Sequence, residues 1–342
     1  SLGYYLVDSS VGTLCSLDTT KPAATIQEKN GVPSVDKIIT SGGVVSADGK
    51  SNSANIGDTV YFKTTITAQP GAQNYVLHDK MTDGLTFNNT VEVKKGESTV
   101  ESSKYTLNTT GLTDGCAFEI EFKTDFCDTL NANDTITVTY SAVLNEKAKI
   151  GNVDKNTNET WLKYGDSKNT QHKNTTTKTF EMNVFKFHID KNDLNTEKGL
   201  AHAVFTLSKK SDGTEPIKLI DKSSNVYRVA KKGEADTVTT ITSPESGEFK
   251  IQGLGAGTYY LTETKQPAGY NKLSGPVTVV IDETGLVKVG ESEANPVKVE
   301  NKTGTVLPST GGAGTTMIYL VGAVLVLGSG VVLATKRRVK NK

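Results

Sequence analysis

Apolar and polar residues alternate along most of the chain, so each extended segment turns one face to a core and the other to water. Val60, Phe62, Thr64 and Ile66 alternate in TVYFKTTIT, Phe118, Ile120 and Phe122 in AFEIEF, and Ile136, Val138 and Tyr140 in TITVTY. Clusters of Gly, Asn, Asp and Ser separate these runs, and helical periodicity is scarce before Val306. The pattern predicts an all-β chain of sandwiches with one buried face per strand. The polar stretch Lys168–Lys178, KNTQHKNTTTK, interrupts it and reads as a linker. One domain is therefore placed at 33–178 and another at 179–302. Residues 1–32 are too short for a core and read as the end of a preceding domain with its linker. Ser1 is not followed by a charged segment and an apolar stretch, so the chain reads as the C-terminal part of a longer precursor.

Beyond Val306 the pattern changes. Met317–Ala334 is uninterrupted by charge and approaches the ~20 residues a helix needs to cross a bilayer. Lys336, Arg337, Arg338, Lys340 and Lys342 follow it, and the positive-inside rule holds such an end in the cytoplasm. Just upstream stands Leu307-Pro308-Ser309-Thr310-Gly311. Motif, apolar run and basic stop, in this order over 303–342, resemble the LPxTG sorting signal of sortase substrates. The resemblance implies that a sortase cysteine attacks the Thr310 carbonyl and that an amine of another molecule resolves the thioester. The run 317–334 then holds only the precursor in the plasma membrane, and the mature protein ends at Thr310.

Parity along the strands of the second domain points to polar groups on apolar faces. In Phe185-Lys186-Phe187-His188-Ile189-Asp190-Lys191, period 2 aligns Lys191 with Phe185, Phe187 and Ile189. Glu263 aligns with Tyr259 and Leu261, and Asn301 with Val297 and Val299. Burial favours a neutral amine and a protonated acid. A neutral lysine held against a carboxamide attacks it and expels ammonia, with the acid moving the proton and proximity replacing a separate catalyst. The product is a Lys–Asn isopeptide crosslink.

The segments IDKND, GLAHAVFTL, YYLTETKQPAGY and VKVEN resemble the Cna-B type domain of Gram-positive pilins and adhesins, in which matching Lys, Glu and Asn residues form this bond. His202 departs from the resemblance, standing where glycine is common. PSVDK, VLHDKMTDGLTF and NETWLKY resemble the isopeptide-forming D2 domain of fimbrial major subunits, which implies a second set of Lys37, Asp79 and Asn158. Lys37 shares a face with Val35 and Ile39, Asp79 with Tyr75 and Leu77, and Asn158 with Thr160, Leu162 and Tyr164; Asn156 competes with Asn158. The resemblance as a whole is to a sortase-assembled major pilin. It implies tandem immunoglobulin-like (Cna-type) β-sandwiches with a C-terminal transmembrane sorting helix. In such pilins a lysine shortly before the D2 domain resolves the thioester, and Lys29 sits at that place without the usual tyrosine and proline.

Composition narrows the function. Lys plus Arg and Asp plus Glu both total 38, so no basic surplus points to nucleic acid. The three cysteines, Cys15, Cys116 and Cys127, lack paired zinc-site spacing, and a Cys116–Cys127 bridge stays open. The four histidines, His78, His172, His188 and His202, show no metal-ligand spacing. Gly253-Leu254-Gly255-Ala256-Gly257 precedes a strand pattern rather than a helix and reads as a turn, and DKNDLN fails the calcium-loop pattern at Leu194. The expectation is a structural pilus subunit, not an enzyme, without cofactor or metal. Its partners are a sortase, neighbouring pilin subunits and peptidoglycan. The alternative is a monomeric wall-anchored adhesin or ancillary pilin that binds a host ligand.

Overall fold

A computed structural model describes residues 3–7, 13–17, 23, 31–69, 73–153, 155–165 and 168–304. The expected membrane-spanning run, the Leu307–Gly311 motif and Lys29 lie outside the described residues. Among the described residues no helix is long and apolar enough to cross a membrane. At the N-terminus Gly3–Val7 and Thr13–Leu17 pair as an antiparallel hairpin.

The first half is a two-sheet sandwich. One sheet is antiparallel, in the order β1 (Ser34–Ser41), β2 (Thr59–Thr67), β6 (Thr135–Leu144) and β4 (Leu85–Lys95). The facing sheet runs β5 (Phe118–Phe122), β3 (Val76–Met81), β7 (Asn156–Tyr164) and β8 (Lys173–Lys178). Short strands extend its edges, Tyr105–Asn108 beside β5 and Ser51–Ser53 beside β8. The alternation seen in sequence is the burial pattern of these strands. Val60, Phe62 and Ile66 of β2 and Ile136 and Val138 of β6 face Leu77, Phe118, Ile120 and Leu162 across the core, and all of them are buried.

The second half repeats the two-layer plan. Its first sheet centres on β9 (Phe180–Ile189), which pairs antiparallel with β12 (Glu248–Leu254) and parallel with β16 (Val297–Glu300), while β11 (Val226–Val229) pairs with β12. Its second sheet is β10 (Val204–Ser208), β13 (Gly257–Lys265), β14 (Val277–Ile281) and β15 (Val287–Val289). The first and last strands of this half thus lie side by side.

The stretch read as a linker is not one. Lys173–Lys178 pairs antiparallel with β7 and parallel with Ser51–Ser53, and Thr175 and Thr177 are each 1% exposed. Threonine is β-branched and small, so it fills a strand position while appearing polar to a hydropathy reading. Residues from Ser53 to Gly57 seat the second half on the first. Gly255 N donates to Asn55 Oδ1 at 2.8 Å, Ile56 N donates to Gly253 O at 2.9 Å, and the Tyr259 hydroxyl lies 2.9 Å from Asn55 Oδ1. The glycine cluster read as a turn is this contact. A Cβ on Gly255 would stand 3.0 Å from Ala54 Cα, and Gly253 has φ +84 with Ile56 against it, so side chains there would push the halves apart.

Candidate functional site

In the first half three polar side chains meet in the apolar interior. Lys37 projects from β1 of one sheet, Asp79 and Asn158 from β3 and β7 of the other, and each is 0% exposed. Antiparallel pairing of β3 with β7 sets Asn158 opposite Met81 and Thr160 opposite Asp79, so the acid and the amide share the inward face two positions apart. Lys37 Nζ donates to Asp79 Oδ2 at 2.5 Å and to Asn158 Oδ1 at 2.7 Å. The Tyr140 hydroxyl donates to the same Asp79 oxygen, and Asn158 Nδ2 donates to the Tyr140 hydroxyl at 3.3 Å. The lysine nitrogen also lies 5.6 Å from the Phe62 ring centre and 5.2 Å from that of Tyr140.

Burial dominates the protonation of this set. It pulls the Lys37 amine down to about 8 against the opposing pull of Asp79, and it lifts the Asp79 carboxyl despite Lys37 and Tyr140 beside it. Both shifts favour the uncharged pair, the form in which a lysine is a nucleophile and a carboxyl can donate a proton. Asp79 Oδ1 has no hydrogen-bond partner. Asn156, the competing amide, is occupied elsewhere. Its Oδ1 accepts from Lys149 N at 2.8 Å, and its Nδ2 donates to the carbonyls of Lys149 and Thr177 at 3.0 and 3.1 Å.

In the second half the expected lysine does not face the core. Lys191 is exposed in the bend after β9, whereas Lys186 is 0% exposed inside it. The inward face of β9 is set by Phe180, Met182 and Val184, which are 2%, 0% and 1% exposed, and Lys186 continues that register. Phe185 and Phe187 stack on each other with ring centres 5.5 Å apart. Both faces of β9 carry apolar residues, so counting from Phe185 starts on the opposite face and ends on Lys191. Glu263 on β13 and Asn301 just past β16 are 2% and 1% exposed, as expected of inward groups. Asn301 Nδ2 donates to Glu263 Oε2 at 3.0 Å and to Asn271 O at 2.7 Å, and Leu273 N donates to the same glutamate oxygen at 2.9 Å.

Parallel pairing sets Lys186 opposite Val299, and Asn301 N donates to Phe187 O at 3.1 Å, so Lys186 and Asn301 lie on adjacent strands at the same end of the sheet. Lys186 Nζ donates to Val299 O at 2.9 Å, and burial lowers its amine to about 8 with Glu263 opposing. Glu263 Oε1 and Asn301 Oδ1 are buried without partners, which costs folding energy unless they serve another purpose.

The lowered lysine has a measurable sign. Its folded value of about 8 lies below the ordinary 10.5, so between these limits the unfolded chain binds more protons and stability rises with pH. An Asn301→Ala variant, which leaves Lys186 a free amine, should gain roughly 1–3 kcal/mol between pH 8 and 10 by urea unfolding. The double variant Lys186→Met/Asn301→Ala should lack that gain, and equal slopes in the two variants would refute a buried neutral lysine.

His202, which stands where glycine is common, has φ +66 and leaves the second cluster untouched. A left-handed backbone explains why glycine suits this place. Cys116 and Cys127 are free thiols, so the bridge left open by the sequence does not form.

Comparison with known proteins places these features. Residues 185–294 match the SpaA family, described as a prealbumin-like fold domain, and residues 299–342 match the LPXTG cell wall anchor motif. No curated protein matches the chain by sequence. Among solved structures, the 35 kDa C-terminal fragment of the major pilin GBS80 of Streptococcus agalactiae is similar at 21% identity and TM-score 0.59, over 80% of this chain and 100% of that one. The group B streptococcus pilus 2b backbone protein is similar at 25% identity and TM-score 0.55, over 80% and 99%. The full-length major pilin RrgB of Streptococcus pneumoniae is similar at 18% identity and TM-score 0.57, over 88% and 80%.

Proposed function

From a chain that carries a SpaA-type prealbumin-like domain and an LPXTG wall anchor and is folded like major pilins, we propose a shaft subunit of a sortase-assembled pilus whose two sandwiches crosslink themselves. The chain is a wall-anchored surface protein. Sortase joins it through Thr310 to an amine of the next subunit or of peptidoglycan, and Lys29 is the amine it offers in turn.

The observation that carries the crosslinking is the contact of Lys37 Nζ with both Asp79 and Asn158 in an apolar interior. The neutral amine attacks the Asn158 side-chain carbon, and a C–N bond forms. Asp79 passes its proton to the departing amide nitrogen and regains one from the attacking nitrogen, so ammonia leaves and the acid is restored. Tyr140 holds the acid in place. Lys186, Glu263 and Asn301 react in the same way in the second half. The first bond joins two facing sheets and the second joins the first strand to the last, so tension along the chain meets covalent bonds rather than marginal folding energy.

Expression with a pilus-type sortase tests the assembly. Wall extracts should show a ladder of high-mass forms, which Lys29→Ala collapses to a single wall-linked species and deletion of Leu307–Gly311 removes altogether. A single wall-linked species in the unaltered protein would instead favour an adhesin displayed as a monomer.

A further inference from the structure

The strand whose inner face holds Asp79 gathers a second set of groups on its outer face. His78 Nδ1 lies 2.9 Å from Asp114 Oδ2, 3.0 Å from Glu119 Oε1 and 3.9 Å from Cys116 Sγ. Cys116 Sγ lies 3.1 Å from Asp114 Oδ2. One donor atom from each of the four residues falls within 4.8 Å of the others. From these positions we infer a binding site for a divalent transition-metal ion of the zinc class, held by His78, Cys116, Asp114 and Glu119.

The fold builds this convergence. His78 of β3 and Glu119 of β5 are direct cross-strand partners, so their side chains rise from one face. Asp114 and Cys116 flank Gly115, whose φ of +78 turns the chain back on itself. Cys116 N donates to Asp114 Oδ1 at 3.0 Å, which leaves Oδ2 facing the histidine. Among the described residues neither Asp114 nor Glu119 pairs with a lysine or arginine; both lie against the His78 ring nitrogen. Lys80, the nearby cation, donates to the Asp114 backbone carbonyl at 3.0 Å. Two carboxylates and a thiol thus crowd one imidazole.

Four donors bound tetrahedrally at ~2.0–2.3 Å stand roughly 3.3–3.8 Å apart, so side-chain adjustments of about 1 Å bring these atoms into place. A thiolate and an imidazole among the donors select zinc-like ions over calcium or magnesium, which take oxygen. A cysteine–histidine pair also suggests a nucleophile, but burial and Asp114 push the Cys116 thiol up rather than down, the opposite of activation. A bound cation would displace that proton and tie the 114–116 turn to β3 and β5. The site stands whether or not the lysines crosslink.

The chain's one tryptophan reports on it. Trp161 stacks on His78 with ring centres 4.9 Å apart and on His172 at 4.4 Å. Titrating the reduced full chain with cobalt(II) should quench Trp161 fluorescence and raise a thiolate-to-cobalt absorption band in the near ultraviolet at one ion per chain. Zinc should abolish that band. Cys116→Ser should lose the band while keeping the unliganded fluorescence, and Asp114→Asn should weaken binding at least about tenfold. No band in the unaltered protein, or the same band in Cys116→Ser, would overturn the site; the latter assigns the metal to Cys15 or Cys127.

Discussion

Asn158→Ala should lower the unfolding free energy of the first sandwich by about 5 kcal/mol if Lys37 and Asn158 are joined as proposed. Lys37 and Asn158 are 121 residues apart in sequence, and linking ends that distant removes unfolded-state entropy worth ~4.7 kcal/mol in the chain-entropy account of crosslinks. For a domain of this size that is a fall of roughly 10–20 °C in Tm. Asn156→Ala is the matched control. It loses three hydrogen bonds to Lys149 and Thr177 but keeps Lys37 and Asn158, so its cost should be about 1–3 kcal/mol. Thermal unfolding of the two variants beside the parent separates the cases, and equal losses would argue that both asparagines are merely packed.

Lys186→Met and Lys191→Met should part even more widely. Removing Lys186 should delete the proposed link between the first and last strands of its sandwich, an effect of several kcal/mol by the same loop argument. Methionine fills the vacated space with an uncharged side chain of similar length, which limits the cavity left behind. Lys191 is exposed, and Lys191→Met should stay within about 0.5 kcal/mol of the parent. Peptide mapping reads the same contrast directly: a branched peptide joining Lys186 to Asn301 should persist in Lys191→Met and vanish in Lys186→Met. A branch at Lys191 would restore the reading made from Phe185.

Much of this was legible in the amino-acid order because burial in a sandwich follows period 2. The inward faces of β2, β5 and β6 are those the alternation named, and Glu263 and Asn301 fall inside as parity requires. Lys191 shows where the rule fails. It needs one residue of known orientation, and β9 offers apolar residues on both faces; starting from Phe180, the strand's first residue, leads to Lys186. Threonine hid β8 in the same way, since Thr175 and Thr177 are buried yet polar in name. The cluster around His78 had no linear signature, because its donors come from two paired strands and a turn that only sheet register brings together.

Intact-protein mass spectrometry of the full chain is the most direct test of internal crosslinking. The spontaneous reaction predicts a mass short of the sequence value by two ammonia molecules, one restored by Asn158→Ala and the other by Asn301→Ala. A parent mass equal to that of the unmodified sequence would contradict it at both sites.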